Sequence, residues 1–307
     1  MRSYRRAFSN PSLLVGAVII FLIGLLAVFA PVLAPPAYDD PYRLPRDGIG
    51  NVPLPPRDGH PLGTFAQQYD IYHGLIWGTR LAFSVSLVVT FGRVLIGTLI
   101  GLVSGYFGKT VDSVLMRMTD AFLSFPILAI TMLVLALFGR SWYYTAFSME
   151  VVNSTIDVKT LMSITLIAFG WMSYARLIRG NVLVEKGKEY ADAARVSGAR
   201  DLRILFKHLL PNSTQGLFVM VSSDISGVVV TLAVLNFLGL ATYFGSEPSA
   251  NWGEMLAYSR NWMVGTPADP FAYWFTYLPP AIAILAFTIG WNLIGDGLRV
   301  VLDPRAR

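Results

Sequence analysis

The chain has 307 residues, of which 54% are hydrophobic and only 14% charged, whereas a soluble domain carries about 25% charged residues. Cysteine is absent, which excludes disulfides, thiolate metal sites and cysteine nucleophiles. The net charge of +5 would admit nucleic acid, but the basic residues flank long apolar blocks, so the charge reads as membrane topology and no nucleic-acid partner is expected.

Crossing roughly 30 Å of hydrocarbon takes about 20 apolar residues in a helix. On that measure the apolar blocks predict an all-α integral membrane protein with six transmembrane helices, near 12–34, 81–107, 119–138, 160–178, 215–240 and 274–295. A basic segment, 1–11, with Arg2, Arg5 and Arg6, leads into the first span. That span has no charge and ends in Val32-Leu33-Ala34, a faint cleavage signal. Signal-peptide apolar regions run only about 7–15 residues, so it reads as a retained anchor. Segment 35–80 holds Pro35, Pro36, Pro41, Pro45, Pro53, Pro55, Pro56 and Pro61, which disfavour continuous helix and predict an extended strap over the outer face.

Residues 81–298 form the main transmembrane domain. In its first span Gly97, Gly101 and Gly105 fall on one helix face and let another backbone approach closely. Two charges lie inside spans, Arg93 and Asp224. Such groups cost roughly 2.5–3.5 kcal/mol each on insertion scales, so they line a path, pair with each other or snorkel to the interface. The outer segment 241–273 carries Tyr243, Phe244, Trp252 and Trp262, readable as interfacial anchors or as residues of gating or receptor contact. A short tail, 299–307, closes the chain. Lysine and arginine concentrate in the N-terminus, the tail and the segment Arg176 to Lys207, which places both termini in the cytoplasm.

Between the fourth and fifth spans lies EYADAARVSGARDLRILFKHLLPN, Glu189 to Asn212. Asp192, Ala193, Ala194 and Arg195 sit in a helix-prone stretch that Gly198 interrupts, as a left-handed turn or a close backbone approach. Asp201 is placed to cap a second helix, Leu202 to Leu210, stopped by Pro211. On it Leu202, Leu205, Phe206 and Leu209 form an apolar stripe, with Arg200, Arg203 and Lys207 elsewhere. The composition of this hairpin, 189–211, suits a helix lying on anionic lipid as well as one gripped by another protein.

The order of its residues resembles the EAA loop of permease subunits of ABC importers: Asp192-Ala193-Ala194, Gly198, then Leu210-Pro211 in register, with Asp192 in place of Glu and His208 in place of Ile. Further matches resemble the dipeptide, oligopeptide, oligosaccharide and nickel permease group. They are His60-Pro61-Leu62-Gly63-Thr64, Gly105-Tyr106-Phe107-Gly108, Asp112, Met116-Arg117, Asp120, Phe125-Pro126, Pro248-Ser249, Trp252-Gly253 and the end from Asn292 to Arg305. After Thr64 the chain departs from that group, with Phe65-Ala66-Gln67-Gln68-Tyr69-Asp70 in place of an acidic residue and Gly-Arg-Asp, which leaves the solute class open.

The resemblance implies the C-type member of a permease pair, in the inner membrane of a bacterial or archaeal cell. Its partners would be a second homologous permease, one or two cytoplasmic ATPases and an external substrate-binding protein, with lipid around the bundle. ATP and magnesium would be bound by the ATPase, and no cofactor by this chain. Asp192 and Arg195, beside Ala193 and Ala194, would supply charge at the ATPase contact, Gly198 would shape the turn, and Leu202, Leu205 and Phe206 would anchor the hairpin by packing. The chain has no GxxxxGK[ST] loop, and neither G-x-S-x-G nor H-E-x-x-H. His60 and His73 lie outside and His208 inside, so they do not converge on a metal and an enzyme is not expected. An ATP-independent channel or carrier is the alternative, and it would not need the hairpin.

Overall fold

The computed structural model describes residues 10–138, 158–239 and 248–302. The tails and the aromatics Tyr243 and Phe244 lie outside them. The described residues form helices and isolated bridges, with no β-strand. Five helical segments are long and apolar enough to cross a membrane, and a bent pair makes the sixth. The chain is an all-α integral membrane protein.

Helix α1, Pro11–Leu33, starts where the Asn10 side chain accepts the Leu13 N–H at 3.2 Å. Its outer face, including Phe21, Val28 and Val32, is exposed, as lipid contact requires. Its other face lies on the last helix, α11, Trp274–Leu302, through an approach so close that a Cβ on Gly16 would lie 2.7 Å from the Gly290 carbonyl.

Helix α2 covers Ile71–Phe107, so the strap ends at Asp70 and not at residue 80. The cause is a cap: the Asp70 carboxylate accepts the His73 N–H at 2.7 Å. Arg80 fits in that longer helix by lying over the Trp77 ring, 5.2 Å from its centroid. The glycine stripe works within the chain. A Cβ on Gly97, Gly101 or Gly105 would stand 2.5, 2.4 or 2.8 Å from atoms of Trp171 or Tyr174, Ala175 and Val182 on the fourth span.

The third span, expected as one helix over 119–138, is two: α3, Lys109–Leu123, and α4, Ile127–Phe138, bent by 79°. Pro126 lacks the N–H that would continue the helix and pushes its predecessor out of helical geometry. The fourth span runs over Val158–Lys186 and is also interrupted, between α5, Val158–Ala168, and α6, Met172–Lys186. The fifth is α9, Leu217–Phe237.

The strap does not lie simply extended. It doubles back through bridges such as Leu54–Thr64 and Arg57–His60, and ties to the second outer segment where Ala250 N–H donates to the Tyr42 carbonyl at 2.7 Å. His60 holds it, with Nδ1 2.5 Å from Asp70 and Nε2 3.1 Å from Asp47. Gln67 and Gln68, where the chain departs from the permease group's pattern, take left-handed φ of 62° and 60°. In the second outer segment the short helix α10, Trp252–Ser259, carries Trp252 inward. Its indole is buried and donates to the Leu75 carbonyl at 3.1 Å, so this residue is neither a membrane-belt anchor nor open to a receptor. Phe65, Ile71, Trp77, Trp252, Met255 and Phe287 make one core at this end, and Leu102, Tyr174, Ile178, Val182, Leu205 and Leu209 another at the hairpin end.

Candidate functional site

The hairpin begins where α6 ends at Lys186. Helix α7, Glu189–Val196, follows after a two-residue turn, with Glu189 and Asp192 in its first turn, where the helix dipole favours negative charge. It closes in a Schellman arrangement: Gly198 N–H donates to the Arg195 carbonyl at 2.9 Å and Ala199 N–H to the Ala194 carbonyl at 3.1 Å. Gly198 has φ +74°, and a Cβ there would meet nothing within 4 Å. The glycine serves the left-handed turn, not a close approach.

The second helix, α8, is continuous from Asp201 to Asn212, but its centre, Ile204–Leu209, is π-wound. That winding overturns two expectations. In a π turn residues five apart stack, so Ile204, Leu205 and Leu209 turn inward, while Leu202 and Phe206 are 70% and 47% exposed. Of the three expected anchors, only Leu205 packs into the fold. The wide turn also admits Pro211 inside the helix, because the missing N–H falls where the bonding pattern changes.

Asp201 is no cap either. Arg200 holds the cap position, and the Asp201 carboxylate accepts the Tyr106 hydroxyl at 2.6 Å, fastening α8 to the end of α2. The Lys186 ammonium donates to the Tyr106 carbonyl, and Arg195 lies over the Tyr106 ring. Tyr190 donates to Glu185 at 2.8 Å, and burial, then this bond, pushes its pKa up to about 12. Asp192 and Arg195, expected at an intersubunit contact, pair with each other at 2.6 Å on the exposed face. Such an i,i+3 pair adds only about 0.2–0.5 kcal/mol and opens easily to other partners. Ala193 is exposed beside them. The hairpin thus has a packed inner face and an outer face where Val196, 89% exposed, joins Leu202 and Phe206.

Two further ion pairs brace its base. Arg179 grips Asp112 with Nε and a terminal nitrogen at 2.5 and 2.6 Å, and Arg176 holds Asp120 at 2.5 Å. They lock α6 to α3. Sequence reasoning gave these residues no role; acids eight apart on α3 facing arginines three apart on α6 were the available signal.

Arg93 and Asp224 meet at 2.7 Å, with side chains 8% and 19% exposed. Arg93 Nε also donates to the Leu166 carbonyl at 2.8 Å. That carbonyl is free because the fourth span breaks there: Gly170 N–H, its partner in a continued helix, turns to Ile167 instead. Of the readings open for these two charges, mutual pairing is the one found. The second Asp224 oxygen has no hydrogen-bond partner among the described residues.

Residues 97–307 match the family described as "Binding-protein-dependent transport system inner membrane component", and residues 2–56 match "N-terminal TM domain of oligopeptide transport permease C". The chain is 29% identical to the dipeptide transport system permease protein DppC of Alkalihalophilus pseudofirmus, over 99% of this chain and 90% of that one. It is 34% identical to the "Probable D,D-dipeptide transport system permease protein DdpC" of Escherichia coli (strain K12), over 97% and 89%. It is 31% identical to the glutathione transport system permease protein GsiD of Pectobacterium atrosepticum, over 100% and 91%. The chain belongs to the family of binding-protein-dependent transport system inner membrane components, in the group that carries the N-terminal domain of oligopeptide transport permease C.

Proposed function

We propose that this chain is the C-type permease half of an ATP-driven importer of short peptides, working beside a second, homologous permease in the cytoplasmic membrane with both termini inside. The observation that carries the reading is the outer face of the hairpin. Val196, Leu202 and Phe206 stand exposed on a segment whose inner face is packed and hydrogen-bonded, so the surface is well seated and has no cover among the described residues. A cytoplasmic ATPase covers it. Asp192 and Arg195 exchange their mutual pair for contacts across that joint, and the alanines between them leave room for it. ATP and Mg²⁺ bind in the ATPase, and this chain supplies the lever. Asp112–Arg179 and Asp120–Arg176 carry the displacement from the hairpin into α3 and the bent third span.

An external binding protein delivers solute to the strap end. Peptide is favoured over oligosaccharide or nickel because relatives spanning nearly the whole chain are named for dipeptides and glutathione. Arg93 and Asp224 are assigned to pinning the break in the fourth span. Removing one partner of a buried pair costs about 3–5 kcal/mol, while replacing both by leucine is nearly neutral. Arg93→Leu should therefore lower stability by that amount and the double leucine variant should recover most of it; equal losses would end the assignment.

The test of the main reading is a pull-down of tagged chain from native membranes, comparing wild type with Gly198→Pro at equal insertion. Proline cannot take φ +74° and has no N–H for the Arg195 carbonyl. Wild type should bring down a second permease and an ATPase, and the variant should lose the ATPase. If wild type brings down no ATPase under gentle extraction, the channel or carrier alternative replaces this reading.

A further inference from the structure

At the strap end a cavity open to solvent, about 700 Å³ of unfilled space with that solvent included, lies between α2, α5, α9, α10 and α11. Leu81, Val85, Met162, Val229, Leu232 and Ile284 make it apolar. Four polar side chains line it: Lys159, Asn236, Asn251 and Glu254.

Their bonding is uneven. Glu254 is almost fully buried and already answered, accepting from Ser249 N–H and Oγ and from the Tyr258 hydroxyl at 3.3, 2.7 and 3.4 Å. The Lys159 ammonium has no direct hydrogen bond or ion pair among the described residues; it stands 6.0 Å from the Tyr42 ring centroid, and its charge reaches the Glu254 carboxylate without contact. Asn236 uses its amide N–H on the Leu232 carbonyl, and its side-chain oxygen has no partner among the described residues. Asn251 uses its oxygen on Gly253 N–H, and its amide donors have no partner among the described residues. One cation, one free acceptor and one free donor therefore border an apolar space. A polar wall so arranged inside apolar surroundings is complementary to a ligand with an anionic group, an N–H, a C=O and an apolar side chain.

We propose that this cavity is a subsite for the carboxyl-terminal residue of a short peptide, with Lys159 pairing its carboxylate, the two asparagines meeting its amide, and the apolar wall taking its side chain. The subsite rests on the importer reading, and it places recognition inside this chain alone. Leucine- and valine-lined walls favour a terminal residue of apolar type. A peptide amide, which keeps shape and hydrogen bonding but loses the negative charge, should bind poorly.

The test uses the complete transporter in nanodiscs without the external binding protein, so that receptor selectivity does not enter. Binding of tritiated Ala-Phe is competed with unlabelled Ala-Phe or with its carboxyl-terminal amide. In wild type and Lys159→Arg the free acid should compete at least ten-fold better than the amide; in Lys159→Met the two should become equal. A Lys159→Met complex that still prefers the acid ten-fold overturns the subsite. If that variant does not assemble, a photoreactive Ala-Phe analogue on the wild-type complex decides: labelling of α5 or α10 supports the site, and labelling confined to other segments overturns it. ATP-dependent uptake in proteoliposomes is measured alongside. Uptake with no saturable binding refutes the subsite alone, whereas a complete complex that takes up no peptide with ATP refutes the importer reading itself.

Discussion

The strap end and the hairpin end of the bundle are both polar segments resting on apolar cores, and they treat their loose groups in opposite ways. At the strap end the chain answers itself: His60 bridges Asp70 and Asp47, Arg57 joins Asp47 at 3.0 Å, and Trp252 turns inward onto the Leu75 carbonyl. At the hairpin end the inner face is equally well tied, by Tyr106 to Asp201 and by Ile204, Leu205 and Leu209 in the core. Its outer face, in contrast, leaves Val196, Leu202 and Phe206 bare. The strap end ties these charges and this indole within the chain, though Ile49, Val264 and Phe271 stay exposed there, whereas the hairpin end sets a bare apolar face on a packed base. Stability and function should therefore separate: substitutions at the strap loosen the fold, and substitutions on the outer hairpin face disconnect it from ATP.

The largest effect that would sharpen this contrast is on uptake. Leu202→Asp combined with Phe206→Asp should lower ATP-driven uptake by roughly ten- to hundred-fold, as loss of buried anchors does at interfaces. The same variant should change unfolding free energy by no more than about 0.5 kcal/mol, since both side chains are exposed in the chain alone. Equal losses in stability and uptake would erase the distinction between the two ends. At the strap, His60→Ala leaves an Asp70 oxygen without its partner and should cost about 1–3 kcal/mol. Limited proteolysis between Pro45 and Thr64 should accelerate, while the ATPase stays associated. Unchanged protection would mean that His60 does not hold the strap.

The smallest effect is a pH dependence at α10. Burial raises the Glu254 carboxyl above the usual carboxylate range, opposed by the bonds from Ser249, the charge of Lys159 and the Tyr258 hydroxyl. Between the ordinary carboxylate pKa and that raised value the folded chain keeps a proton that the unfolded chain has lost. Stability therefore falls as pH rises through this window. Glu254→Gln should flatten that slope in thermal unfolding followed across pH, and an unchanged slope would place its origin at another group.

Much of this was legible in the residues. The number of spans followed from apolar block length, the α2–α6 approach from Gly97, Gly101 and Gly105, and the hairpin turn from Gly198. Local chemistry hid the rest. Arg80 masked ten residues of helix, because a charge reads as a boundary unless the Trp77 ring beneath it is known. Pro126 gave the bend of the third span in principle, though not its 79° angle. Nothing in the 3.6-residue spacing of Leu202, Leu205 and Phe206 announces a π turn, which arises from packing and re-sorts the faces. Arg93 and Asp224 are 131 positions apart, so their pairing needed the fold.

The central claim is that the outer hairpin face is covered by an ATPase. The chain has no cysteine, so Leu202→Cys introduces a single reactive thiol. Treating native membranes that hold this variant with a short thiol-to-amine cross-linker, with and without ATP, tests the claim most directly. The account predicts one cross-linked product containing an ATPase subunit, formed in amounts that change with nucleotide. A thiol that cross-links to no protein, and that a water-soluble maleimide labels equally with and without ATP in inside-out vesicles, would contradict it.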